Sequence, residues 1–504
     1  MRRFAIAASS LSIVAACASH SPARVAPLVV TPGTPPPVAT VSAAPKRVTP
    51  DAPFRAGPPP EGSAPAFVLP EPVTVWLRNG IPLTFVHQTS GVLSIAVAAA
   101  GGAVDVGAAK IETVDLMLAT MMAASKTRAS DAVRDELARL VMPSFASDYY
   151  SDGVIVSARM VAPAVKPGVA LFADVVLHPA FQDRDLAWYA NVLATERDAA
   201  ASAPAMVGEL TLRKALFAQH PYSAIRGSGA DVRAVKRTEV AALHARMFDA
   251  SRLAIVAAGD VNEKEVFAAV DASFGGVPRH DPALRAPATP PASTGPRIVV
   301  VNRPGASVTQ VHAGVVGPAA DAADGDAAQV ALELLADATL GRISVKLRRD
   351  MHAASVRRES YTLRAARFLG WQSMVPNDEV AASLAEIQRQ MKKLADDGPT
   401  PDELTIVHDG YASYLGALIG TPAQTASTHA YASLMGLPAE AVKQGTSRRA
   451  TLNAAAIASA AGRWLDPSRV RFVLVGDWQA IREAVTALGW GVSVKDENGV
   501  RAGN

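Results

Sequence analysis

Short apolar runs with the length and β-branched content of strands occupy positions 73–77, 93–100, 153–161, 298–301, 308–316 and 368–374. Between them, apolar positions recur at three- and four-residue spacing, which predicts helices over about 111–125, 185–201, 327–338 and 378–395. Two further segments share one design. Asp249, Ser251 and Arg252 lead into an apolar strand ending in Gly259-Asp260, and Asp466, Ser468 and Arg469 lead into one ending in Gly476-Asp477. Each is followed by a helical pattern, 263–274 in the first copy and 480–488 in the second. The opening elements repeat as well: strands 73–77 and 93–100, a Gly101-Gly102 turn and helix 111–125 correspond to strands 298–301 and 308–316, a turn over 317–325 and helix 327–338.

Strands followed by runs of helices, not strict strand-helix alternation, predict an α+β fold. The repeat divides it into two tandem homologous domains, 66–276 and 297–495, each a mainly antiparallel sheet with helices packed on one face. A Pro- and Ala-rich connector, 277–296, joins them, and 496–504 forms a tail. The overall balance, 49% hydrophobic and 19% charged residues, is that of a globular chain. A net charge of +3, with Lys and Arg scattered among Asp and Glu, gives no basis for nucleic-acid binding.

The first 65 residues differ from the rest. Arg2 and Arg3 precede an apolar stretch from Phe4 to Ala16, too short for a permanent membrane span and typical of a secretory signal. It ends at Cys17, the single cysteine of the chain. Val14-Ala15-Ala16-Cys17 is similar to a bacterial lipobox, so 1–17 reads as a lipoprotein signal with Cys17 as the lipidation site. The alternative is an ordinary signal that contains a cysteine. Ala18 and Ser19 do not resemble an inner-membrane retention signal, which points to an anchored protein on the periplasmic face of the outer membrane. Residues 18–65 are rich in Pro and Ala, and as an extended tether at roughly 3 Å per residue they reach up to about 140 Å.

Several local strings, in order, resemble the insulinase-like (pitrilysin) zinc peptidases over about residues 70–490: His178-Pro179-Ala180-Phe181, His220-Pro221-Tyr222, and Leu243-His244 on to Gly259-Asp260. The resemblance implies an H-x-x-E-H motif on the first long helix and a distal Glu about 75 residues later. Two His at i and i+4 share one helix face as ligands, and the Glu serves as general base on metal-bound water. Met117 and Met121 stand at the histidine positions and Thr120 at the base position, while Glu196 falls at the distal ligand. Thioethers suit Cu(I) better than a site completed by carboxylate, so no zinc and no other cofactor is expected. Met117 and Met121 then read as core filler, with an unusual soft-metal site as the other possibility. Glu196 reads as a solvated helix carboxylate or a relic ligand. No two of the ten histidines lie three or four residues apart, and no G-x-S-x-G elbow is present.

In the second half the family resemblance implies an Arg and a Tyr that contact substrate. Arg348 matches, whereas Ser355 replaces the Tyr. Arg348 reads either as a donor to a peptide carbonyl or as one basic residue on a solvated helix beside Lys346 and Arg349. Two-domain chains of this size resemble processing-peptidase subunits, of which only one of a pair binds zinc. The resemblance therefore implies a noncatalytic subunit that shapes a chamber and presents peptide to a zinc-bearing partner in a heterodimer. The alternative is a stand-alone peptide-binding or scaffolding envelope lipoprotein, and an active zinc endopeptidase ranks last. If Cys17 carries the anchor, the mature protein sediments with membranes and Cys17→Ser releases it; fractionation that leaves the variant on membranes refutes the lipidation.

Overall fold

The computed structural model describes residues 69–496, apart from 103, 105–110, 202, 225–226 and 281–286. Cys17 and the tether 18–65 lie outside the described residues. Among the described residues, twelve strands form two six-stranded sheets. The first contains β1 (Pro72–Trp76), β2 (Pro82–His87), β3 (Val92–Ala100), β4 (Ala146–Tyr150), β5 (Gly153–Val161) and β6 (Leu253–Gly259), in the order β1-β2-β6-β3-β5-β4. The second contains β7 (Ile298–Asn302), β8 (Val308–Gly317), β9 (Ser355–Leu363), β10 (Ala366–Pro376), β11 (Arg471–Gly476) and β12 (Val492–Lys495), in the order β12-β7-β11-β8-β10-β9. Both are mainly antiparallel α+β sheets, as expected. The exceptions are the β2/β6 pair in the first sheet and the β7/β11 and β7/β12 pairs in the second.

The topology corrects one correspondence in the repeat. The counterpart of β7 is β2, because each pairs in parallel with the Gly-Asp strand, whereas 73–77 is an added edge strand in a hairpin with β2. At the same edge of the second sheet the strand comes from the C-terminal end of the half instead, as β12. Sequence order had matched 73–77 to 298–301, since both are the first apolar run of their half.

The Gly-Asp ends repeat for a steric reason. A Cβ at Gly259, whose φ is +154°, would collide with the carbonyl oxygen of Val92, and one at Gly476 would collide with the Thr309 hydroxyl. Only glycine lets the neighbouring strand approach there. Asp477 then caps the helix Trp478–Ala487 by accepting from the Gln479 amide at 2.9 Å, while in the first copy Asn262 caps Glu263–Phe274.

One face of each sheet carries helices of its own half. Leu93, Ile95, Val97 and Ala99 of β3 pack with Val114, Met117 and Met121 of the helix Ile111–Met121, Phe172 of Val165–Leu177 and Phe274 of Glu263–Phe274. Val311, Ala313 and Val315 of β8 pack with Leu332 and Leu335 of the helix Gly325–Ala336 and Leu384 and Ile387 of Val380–Asp397. The opposite faces differ from the expectation of helices on one face, because each is covered by a helix lent by the other half. Leu212, Leu216 and Phe217 of Pro204–Phe217 lie against Val299, Val301, Phe368, Val473 and Val475 of the second sheet. Ala426, Ala430 and Leu434 of Pro422–Leu434 lie against Ala96, Ala98, Ile155, Val256 and Ala258 of the first. The reason lies in β3, where Ile95, Ala96, Val97, Ala98 and Ala99 are all buried, so neither face of the strand tolerates water.

A polar joint fixes the exchange. The Tyr222 hydroxyl donates to Asp152 Oδ1 at 2.7 Å and accepts from the Ala365 amide at 3.1 Å, and the Arg364 amide donates to Asp152 Oδ2 at 3.0 Å. Asp152 sits in the β4–β5 turn and Arg364-Ala365 in the β9–β10 turn, so equivalent hairpins of the two halves meet on one tyrosine. Arg213 of the lent helix supports it, with Nε on the Tyr222 carbonyl at 2.8 Å and Nη2 on the Ser151 hydroxyl at 2.6 Å.

Under the same helix, His312 of β8 is fully buried with neither ring nitrogen hydrogen-bonded, pressed where a Cβ on Gly208 would strike it. Burial, with a smaller contribution from Arg357, pushes its pKa down to about 4, and burial does the same to His244 and His429. The unfolded chain takes up these protons near pH 6.5 and the folded one only near 4, so stability is complete above about pH 6.5 and falls as pH drops towards 4. Each buried imidazole accounts for about 3 kcal/mol at most over that window. Urea midpoints should therefore fall between pH 7 and pH 5, and His312→Gln should flatten that slope; a midpoint independent of pH over this range contradicts it.

Candidate functional site

The helix Ile111–Met121 is buried almost all round, so its side chains are core first. Met117 and Met121 are both fully buried members of the first hydrophobic core. Thr120 is 2% exposed, and its hydroxyl donates to the Leu116 carbonyl one turn back at 2.6 Å. That bond occupies its proton and turns the hydroxyl towards its own helix backbone. Glu196, on the helix Asp183–Ala201, is exposed.

These two helices are held together by a different pair. Arg197 Nη2 donates to Asp115 Oδ2 at 2.6 Å, with side-chain exposures of 13% and 6%. A charge-assisted bond of this kind, shielded from water, is much stronger than a surface ion pair. Neighbouring carboxylates are also committed. Glu112 accepts from the Gly227 amide, Asp198 Oδ1 accepts from the Gly229 amide at 2.9 Å, and Asp231 closes a capping box with Ser228. Together they pin the loop before the helix Gly229–Ala234 onto the two longer helices. Among the described residues no three His, Cys, Asp or Glu side chains gather closely enough to hold a metal ion. The chemistry of positions 117, 120, 121 and 196 does not fit zinc: two thioethers in an apolar core, a hydroxyl already bonded, and one exposed carboxylate.

The strings that carried the family resemblance have structural work. His244 Nε2 bonds the Val176 carbonyl at 2.8 Å, with its ring against Phe181 and stacked on Phe248. The Ala180 amide donates to the Ala124 carbonyl at 3.0 Å, closing the turn around Pro179 onto the end of the first helix. His220 Nε2 bonds the Ala288 carbonyl at 2.7 Å, tying down the connector, and Tyr222 is the joint between the halves.

In the second half, Arg348 is exposed on the helix Arg342–Asp350 and spends its donors locally: Nε on the Ser344 carbonyl at 3.1 Å and Nη2 on the Thr339 carbonyl at 2.8 Å. Ser355 is exposed at the start of β9, an outermost strand of its sheet. Reasoning from the sequence missed Asp115 and Arg197. The available signal was an acid two residues before one expected ligand position and a base next to another, on helices already expected to meet. No helix among the described residues is long and apolar enough to cross a membrane.

Residues 234–409 match the family model described as the peptidase M16 inactive domain. Among solved structures, a peptidase M16 inactive domain from Pseudomonas fluorescens superposes with a TM-score of 0.74 at 20% identity, covering 81% of this chain and 98% of that one. A protease from Helicobacter pylori superposes equally well, TM-score 0.74 at 17% identity, over 81% of this chain and all of that one. At these identities the likeness is one of fold. A search of curated proteins finds no match.

If no metal is linked to folding, a chelator leaves the melting temperature unchanged, whereas Arg197→Ala, which takes the cation away from the buried Asp115 carboxylate, should cost about 3 to 5 kcal/mol. Thermal melts with and without chelator, and urea unfolding of the variant, test both; a chelator-induced drop overturns the assignment of positions 117 and 121.

Proposed function

We propose that this chain is a noncatalytic member of the peptidase M16, or insulinase-like, family: a subunit that shapes a peptide chamber and presents substrate to a zinc-bearing partner. The observation that carries the reading is the combination of an M16-type two-sheet fold with ligand positions filled by Met117, Thr120 and Met121 and sealed into the core. Without a metal, no group at those positions can bring a water pKa from 15.7 to near 7, and the Thr120 hydroxyl is no base. Arg348 is the group we assign to substrate, donating to peptide carbonyls in exchange for its present carbonyl acceptors, with Ser355 at the start of β9 as the second position. A lipid on Cys17 and the 18–65 tether would hold the assembly to the periplasmic face of the outer membrane.

A second reading rests on β4 and β9. Each is the outermost strand at one end of its sheet, and such an edge adds an extended peptide through main-chain hydrogen bonds without any partner. On that reading the chain is a stand-alone peptide-binding or scaffolding protein of the envelope.

Mixing separates the two. Alone the chain should cleave no peptide, and added to an M16 partner with an intact H-x-x-E-H motif it should co-elute and raise turnover of unfolded peptides. Arg348→Ala should weaken peptide affinity or turnover about tenfold to a hundredfold without preventing assembly, and Glu196→Gln should be silent. Peptide binding without co-elution or activation refutes the subunit and leaves the lone binder.

A further inference from the structure

Leu69, the first described residue, lines a cavity of about 380 Å³ together with Val86, Gln88, Ile419, Thr425 and His429. Val86 belongs to β2 of the first sheet and Gln88 follows that strand, whereas Ile419 ends the helix Pro401–Ile419, and Thr425 and His429 lie on Pro422–Leu434. Each half therefore supplies one wall. Hydrogen bonds tie the walls together: Gln88 Nε2 donates to the Ile419 carbonyl at 2.7 Å, and the Thr425 hydroxyl donates to Gln88 Oε1 at 2.9 Å. Just beyond the cavity Glu71 pairs with Lys443 of the helix Ala441–Ala450, so the chain is fastened to the second half before it enters β1.

Val86, Ile419, Thr425 and His429 are all buried, which gives the cavity a shielded floor. Gln88 and Thr425 spend their polar groups on each other and on Ile419. His429 is different, because its ring has one backbone hydrogen bond, at Ala439, while its Nδ1 is buried with no partner. Burial also holds the imidazole neutral at pH 7, with its pKa pushed down to about 4. A neutral imidazole that gives its proton to a carbonyl offers its other nitrogen as an acceptor, and a peptide N–H suits it. The volume lies at the low end of the range for ligand sites, enough for a short stretch of peptide with one large side chain.

The chain carries such a stretch. Ala66, Phe67 and Val68 precede Leu69, and between Phe54 and Leu69 the only aromatic or branched aliphatic residues are Phe67 and Val68. Three residues span at most about 10 Å, and with Leu69 in the cavity wall that length reaches the interior. Each of the three has an N–H to offer, whereas Pro65 and Pro70, which bracket the segment, have none.

We propose that residues 66–68 dock in this cavity, with Phe67 against Val86 and Ile419 and a main-chain N–H on His429 Nδ1, as a strap over the seam between the halves. The seat is independent of the peptide-presenting role. The tether 18–65 then joins the fold at a point held by both halves, so a pull on it is shared between them instead of peeling β1 from the edge of its sheet.

Cys17 is the single cysteine, so Cys17→Ser gives a thiol-free background in the full chain. In that background Phe67→Cys should react with a maleimide about tenfold more slowly than Gly62→Cys, a position in the tether. Amide exchange read by mass spectrometry is the second arm: Phe67→Ala should speed exchange at 86–89 and 419–429 and leave Ile111–Met121 as it is. Equal labelling of the two thiols, or exchange unchanged by Phe67→Ala, overturns the proposal. Protection of the Phe67→Cys thiol that is lost on dilution would give the cavity to the same segment of a second copy. Protection of 419–429 that develops only when an extended peptide is added would give it to that peptide, and either result overturns docking by this chain's own segment.

Discussion

Everything in the folded part depends on one constraint: each sheet is apolar on both faces but has helices of its own for only one. Half of the molecule alone would expose Ala96, Ala98, Val256 and Ala258, or Val299, Val301, Val473 and Val475, to water. The exchange of Pro204–Phe217 for Pro422–Leu434 removes that exposure twice, at about 2 kcal/mol for each large side chain buried. The two exchanged contacts are chemically unlike. One is built from Leu and Phe against Val, the other from Ala against Ala, which brings helix and sheet backbones closer. The Asp152–Tyr222 joint then adds what apolar packing lacks, a single direction and register, because its hydrogen bonds form only when both hairpin turns are in place.

Much of this was legible along the chain. The Gly-Asp repeat located the two central strands because sterics demand glycine there, and apolar spacing predicted helices over 111–125, 185–201 and 263–274, which the structure places at Ile111–Met121, Asp183–Ala201 and Glu263–Phe274. β3 carried a further signal, an unbroken apolar run instead of alternation, which means burial on both faces. What supplies the second face is not written locally, since Ala426 and Ala430 meet β3 across more than three hundred residues of chain. β2 escaped because Pro82, Thr84 and His87 dilute its pattern, and β12 because four half-buried residues do not make a period.

The helix that carries the candidate positions was legible, but not what holds it to its neighbour. Apolar spacing predicted the helix and the family resemblance singled out Met117, Thr120 and Met121 on it; their burial follows from the same apolar face that makes the helix. The Asp115–Arg197 bond was invisible because it joins residues 82 apart, and pairing of that kind is set by tertiary packing. Two helices that meet over polar positions need something to hold them in register. A metal with its ligands does this by coordination; a buried carboxylate and guanidinium do it with charge-assisted hydrogen bonds, and Glu112 and Asp198 extend the hold to the following loop.

That clamp bears on what the buried positions are able to do. A coordination site keeps an open position and tolerates exchange, whereas an apolar core closed by Met117 and Met121 and clamped at Asp115 is built to stay shut. The groups to which a binding role is proposed are peripheral: the Arg348 guanidinium, which would trade its own carbonyl acceptors for those of a peptide, and the outer strands β4 and β9. Each can bind by electrostatics or main-chain pairing, and none offers a nucleophile next to a base. On the proposed reading the chemistry of the surface agrees with that of the core: groups suited to binding lie at the periphery, and positions 117, 120 and 121 supply neither a metal ligand nor a base.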